Sequence, residues 1–165
     1  MAREEIRTAT LEERLQAAAR CAGWGYKLAF HFDPIILHEG WQEGYRQTID
    51  RLFAEVPAAS IAWISMGALR YLPSLKKIAV DRFPASRFFY QEFIDGLDGK
   101  RRYFRPQRVA MYRFIHDELR KHADPRTCIY FCMENDTIWQ DVFGFVPEER
   151  GGLPAMLDRS LGWPR

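Results

Sequence analysis

Short apolar segments alternate along this chain with longer stretches of helical period, and that alternation restricts the fold more than any other feature. Tyr26-Lys27-Leu28-Ala29-Phe30-His31-Phe32 reads as a buried strand ended by Asp33-Pro34. Ile61 to Ser65 reads as a second strand, Arg87 to Phe93 as a third and Cys128 to Cys132 as a fourth. Between them lie helical patterns. Trp41 to Glu55 carries Tyr45, Ile49, Leu52 and Phe53 on one face and stops at Pro57. Ser74 to Phe83 turns Leu75, Ile78 and Ala79 inward. A helix opened by Pro106 bears the stripe Val109, Tyr112, Ile115 and Leu119, and Asp124-Pro125 breaks it. Thr10, with Glu13 three residues later, predicts a capping box ahead of Leu11, Leu15, Ala18 and Ala19, and Gly23 and Gly25 stop that run. Asp136 to Phe143 forms a short closing helix, and residues 146–165, rich in Pro and Gly, read as an irregular tail.

Strands separated by helices predict an α/β fold of parallel β/α units with right-handed crossovers, residues 1–165 forming one domain. Four strands are too few to close a barrel, so they make a small open sheet or part of something larger. A helix precedes the first strand, which predicts a missing N-terminal half.

Charge and composition exclude several classes. Lys and Arg number 24 against 22 Asp and Glu, a net +2 that gives no reason by itself to expect nucleic-acid binding. No apolar run approaches the roughly 18 residues of a membrane span. Met1-Ala2-Arg3-Glu4-Glu5 lacks the apolar core of a signal peptide. Three cysteines, odd in number and scattered, predict free thiols in a reducing cytoplasm.

In parallel β/α folds ligands bind at the carboxyl ends of the strands. That rule nominates His31, Asp33, His38, Glu39 and Trp41 after the first strand, and Ser65, Gly67 and Arg70 after the second. Glu92, Asp95 and the run Lys100 to Arg108 follow the third; Met133, Glu134, Asn135 and Asp136 follow the fourth. The run places five cations in nine residues around Tyr103 and Phe104, a composition that suits phosphates and stacked bases but also a solvated loop of paired arginines. His31 and Asp33 share one face of their strand. Gly67 makes a small turn at a strand end, open to a ligand or simply tight. Cys128 and Cys132 share a face about 13 Å apart and read as buried structural thiols. No spacing matches a zinc or iron site, so no metal ligand is expected. No Ser-His-Asp order, phosphate-binding loop or dinucleotide fingerprint occurs.

Several stretches taken in order resemble one family. These are Tyr26 to Ile35, His38-Glu39-Gly40-Trp41 with Gly44-Tyr45, Ile64 to Arg70, Tyr90 to Ile94, Arg102 to Pro106, and Cys132-Met133-Glu134. Together, over residues 5–160, they resemble the later barrel segment of the spore photoproduct lyase-like radical S-adenosylmethionine proteins. The resemblance implies the C-terminal half of a partial TIM-type barrel and a DNA-repair carbon–carbon lyase acting on thymine dimer lesions. Its cofactors would be S-adenosylmethionine and a [4Fe-4S] cluster held by a C-x3-C-x2-C loop, which together yield a 5′-deoxyadenosyl radical. That loop and the family's hydrogen-donating cysteine have no match here, so the chain alone is expected to be inactive and no catalytic residue carries over. By the same resemblance His31, Asp33 and Pro34 would lie near the cofactor. Ser65, Arg70, Glu92, Arg102, Tyr103, Arg105 and Arg108 would face the substrate or DNA. The alternatives are a non-catalytic nucleic-acid-binding half-barrel, or one subunit of a split enzyme whose partner bears the cluster. A first strand without its upstream neighbour would also favour poor solubility or a homodimer.

Overall fold

The computed structural model of the chain describes residues 7–162. The first elements are α1 (Leu11–Gly23), β1 (Leu28–Ile35), α2 (Trp41–Glu55), β2 (Ile61–Ala68), β3 (Arg70–Tyr71) and α3 (Pro73–Arg82). They are followed by β4 (Ile94–Asp95), β5 (Arg101–Arg102), α4 (Arg105–Arg120), β6 (Cys128–Phe131), α5 (Asp136–Phe143) and α6 (Gly152–Ser160). The capping box of α1 forms, with the Thr10 N–H donating to Glu13 (2.7 Å) and the Glu13 N–H to the Thr10 hydroxyl (3.2 Å).

Strands β1, β2 and β6 make a parallel sheet in the order β1-β2-β6. Phe30 pairs with Ile64 and Phe32 with Met66; Ile64 and Met66 pair in turn with Ile129 and Phe131. Paired residues in a sheet share a face, so these six form one apolar layer. Ile49 and Leu52 of α2, Met111, Tyr112, Ile115 and Leu119 of α4, and Ile138 and Trp139 of α5 complete the core. The opposite face carries Ala29, His31 and Asp33 on β1, Trp63, Ser65 and Gly67 on β2, and Cys128 and Tyr130 on β6.

Four expectations change. The segment Arg87 to Phe93 is a single 3-10 turn at Phe88–Tyr90 rather than a parallel strand. Its rings serve an aromatic cluster, with Tyr71 edge-on to Phe89 at 4.8 Å and to Phe93 at 5.0 Å, so the extended conformation loses to local packing. The parallel sheet therefore has three strands, and the following loop is the turn of an antiparallel hairpin, β4–β5, extended by β3 in the order β3-β5-β4. On α3, Leu75 and Ile78 stay 45% and 48% exposed and only Ala79 reaches the core. The region 146–165 is not irregular throughout. Gly151 and Gly152, at φ +81° and +84°, turn the chain into α6, where Ala155 and Met156 are buried. Pro154 falls in the first turn, where its missing N–H is harmless. Helix α6 packs on β2 and β6, and the Trp63 indole donates to the Leu157 carbonyl at 3.3 Å.

Among the described residues no helix is long and apolar enough to cross a membrane. Strand β1 has no second strand partner there, which leaves one sheet edge open. Met1 to Glu5, where a signal peptide was excluded, lies outside the described residues.

Candidate functional site

The polar face is exposed along β1, at Ala29, His31 and Asp33, whereas Ser65 and Gly67 on β2 are buried. Register aligns His31, Ser65 and Tyr130 across the three strands. Ser65 is fully buried between its neighbours, and its hydroxyl is joined to His31 Nδ1 by a 2.6 Å hydrogen bond. Burial raises the Tyr130 phenol above its ordinary value, partly offset by a hydrogen bond with Ser65. His31 itself is exposed, as are Asp33 and Pro34. The result is a continuous row of donors and acceptors with one open end.

One layer higher, Arg70 lies across the strand ends. Its Nη2 is 3.2 Å from Asp33 Oδ2 and 3.6 Å from Cys132 Sγ, and its Nη1 lies 3.4 Å from the Ala68 carbonyl. Gly67 makes this possible. A Cβ there would stand 2.5 Å from Asp33 Oδ2 and 3.0 Å from Arg70 Nη1. The space that the small residue opens is filled by the protein's own ion pair.

The strand ends are held from behind. The Tyr112 hydroxyl accepts from the Ala68 N–H (2.7 Å) and donates to Glu134 Oε1 (2.8 Å). Arg108 Nε lies 3.2 Å from the same oxygen, and Arg108 Nη1 donates to the Tyr103 carbonyl at 2.7 Å. Burial, reinforced by the Glu134 charge, pushes the Tyr112 phenol far above its ordinary value. The chain after β1 is pinned by three side chains. Tyr45 and Tyr103 accept from the N–H groups of Ile36 (2.8 Å) and Leu37 (3.1 Å), and Gln91 donates to the Leu37 carbonyl. Burial pushes the Tyr103 phenol up to about 12.

The structure thus brings His31, Asp33, Ser65 and Arg70 together. It moves two nominated residues into supporting positions: Tyr103 is fully buried against Phe93, and Arg108 is buried beside Glu134. Glu92, Arg102 and Arg105 lie on the hairpin side. Glu92 is exposed, Arg102 pairs with Asp98, and Arg105 pairs with Asp141 at 2.5 Å. Lys100 lies 3.8 Å from Asp98 and Arg101 2.9 Å from Asp95. Every cation of the basic-aromatic run therefore has a carboxylate, the paired arrangement rather than a free clamp. Cys128 is buried as expected, and burial pushes its thiol up to about 11. Cys132 is instead half-buried, with its sulfur toward Arg70. Tyr112 and Tyr130 were not legible as site residues, because only pairing register and helix rotation bring them there. Among the described residues no group of three or more His, Cys, Asp or Glu side chains is placed to hold a metal.

Fold and site together define an α/β protein with a three-stranded parallel sheet whose polar face is open along its edge strand β1. Residues 1–135 match the family model described as spore photoproduct lyase, and the chain belongs to that family. It is 29% identical over 118 residues to spore photoproduct lyase of Bacillus subtilis (strain 168), covering 70% of this chain and 32% of that protein. The corresponding enzyme of Geobacillus sp. (strain Y412MC61) is 26% identical over 111 residues, covering 66% of this chain and 30% of its own length. The chain spans about a third of the length of these relatives. Among solved structures, spore photoproduct lyase with bound AdoMet and dinucleoside spore photoproduct superposes with a TM-score of 0.64 at 24% identity, over 76% of this chain and 38% of that one. A spore photoproduct lyase variant with one cysteine replaced by alanine reaches 0.67 at 24% identity, over 77% of this chain and 40% of that one.

Proposed function

We propose that this chain is the C-terminal, substrate- and cofactor-facing part of a spore photoproduct lyase-like radical S-adenosylmethionine protein of DNA repair, built as part of a TIM-type barrel. The observation that carries the reading is the polar row His31-Ser65-Tyr130 across the three strands, open at His31, in a chain of this family. Its hydroxyl and imidazole groups, with the Asp33 carboxylate beside them on β1, suit a nucleoside. His31, Asp33 and Pro34 would face S-adenosylmethionine; Ser65 and Arg70 would face the lesion, with Glu92, Arg102 and Arg105 at its flank. Tyr103 and Arg108 would act as positioning residues. When bound, S-adenosylmethionine would supply the radical chemistry of the reaction. Among the described residues no group of His, Cys, Asp or Glu fits a cluster, so no catalytic step is assigned to them. Three free cysteines accord with a reducing cytoplasm.

Calorimetric titration with AdoMet tests the reading. Saturable binding that His31→Ala weakens by tenfold or more supports it. If AdoMet does not bind while DNA binds with a steep salt dependence lost on replacing Arg102 and Arg105, the nucleic-acid-binding half-barrel replaces it.

A further inference from the structure

The residue proposed to face the cofactor and the one proposed to face the substrate are partners in a single ion pair. Asp33 Oδ2 and Arg70 Nη2 stand 3.2 Å apart, with the Arg70 side chain 17% exposed and Asp33 on the exposed edge of β1. They lie directly over Gly67, in the layer above His31 and Ser65, so the pair sits at the open end of the polar row. Arg70 has few other partners: a 3.4 Å contact with its neighbour's carbonyl and a thiol at 3.6 Å, both weaker than a carboxylate. Among the described residues Asp33 pairs with no other cation. A ligand hydroxyl that takes the Asp33 oxygen therefore loosens the chief restraint on Arg70, and an anion that takes Arg70 frees Asp33.

We infer that the Asp33–Arg70 pair couples the two ligands, so that occupancy of the Asp33 side by the nucleoside cofactor releases Arg70 to hold the phosphodiester of a dinucleotide substrate. Guanidinium matches a phosphodiester through two parallel hydrogen bonds, which makes that group the fitting occupant. Coupling between sites is reciprocal, so each ligand must raise the affinity for the other by the same factor. The inference rests on the proposed function but goes beyond it, because two adjoining sites have no need to be linked.

The test is a pair of calorimetric titrations on the full chain: the phosphodiester-linked spore photoproduct dinucleotide with and without saturating AdoMet, and the reverse. The expected result is a reciprocal gain of about five- to tenfold, falling to no gain in Asp33→Asn and in Arg70→Gln. The phosphate-free dinucleoside should show no gain in the unaltered chain. Binding of both ligands with a coupling factor of one overturns the inference and leaves the proposed function standing. Failure of AdoMet to bind at all overturns both. Coupling that survives in Asp33→Asn assigns the linkage to another element and also overturns it.

Discussion

Replacing Tyr112 by Phe removes one oxygen from the support behind the strand ends, and the structure sets the cost. That oxygen accepts from the buried Ala68 N–H at 2.7 Å and donates to Glu134 Oε1 at 2.8 Å. A buried N–H left without an acceptor costs about 1–3 kcal/mol, and loss of a hydrogen bond to a charged group about 1.5–3 kcal/mol. Arg108 remains 3.2 Å from Glu134, and the ring keeps its packing 4.4 Å from Phe131, so a loss of about 3 kcal/mol is expected rather than the full sum. For a chain of this size that corresponds to a fall in Tm of roughly 6–12 °C. Urea denaturation should show a lower midpoint with an unchanged slope. Alkaline behaviour gives a second readout. Folding holds the Tyr112 proton well above the ordinary value of 10.0, so the unfolded chain ionises first and stability declines as pH rises past that value. Tyr112→Phe should lose this part of the decline. A destabilisation below about 1 kcal/mol would refute the reasoning, because it would mean that Ala68 and Glu134 find water as readily as Tyr112.

Other outcomes follow from the same physics. Cys128, buried and with its thiol at about 11, should resist iodoacetamide at pH 8 and react only on denaturation, as peptide mapping would show. Asp124 is held at about 2, against an ordinary 3.8, chiefly by hydrogen bonds from Arg126. Its contribution is present above pH 4 and lost as pH falls toward 2, and an NMR titration of its carboxyl should show that midpoint. Thr10→Ala removes a fully formed capping box and should cost about 1 kcal/mol in urea denaturation.

How much was legible depended on whether a feature was local. The capping box of α1, the existence of strands β1, β2 and β6 and the stripes of α2 and α4 follow from spacing within short windows, but β1 runs on through Asp33-Pro34 to Ile35 and β2 through Gly67 to Ala68, past the expected stops. The segment Arg87 to Phe93 misled because a run rich in rings has strand composition without strand alternation, and Tyr71 and Tyr103 recruit those rings into a cluster. Helix α6 was hidden by its own punctuation, since Gly151, Gly152 and Pro154 are breakers anywhere except at a helix start. In the site, His31 and Asp33 could be placed on one face by period alone. Their neighbours could not: Tyr130 arrives through register with Ser65, and Arg70 through the gap at Gly67. The basic run exposes the same limit. Asp95 and Asp98 lie nearby in sequence, whereas Asp141 and Glu134 reach Arg105 and Arg108 only through the fold.

The most direct measurement is an amide chemical-shift map of the isotopically labelled chain titrated with AdoMet. Saturable shifts concentrated at His31, Asp33, Ser65 and Tyr130 are the predicted result. Shifts confined to the β4–β5 hairpin, or none at millimolar ligand, would contradict the assignment of the polar face to the cofactor.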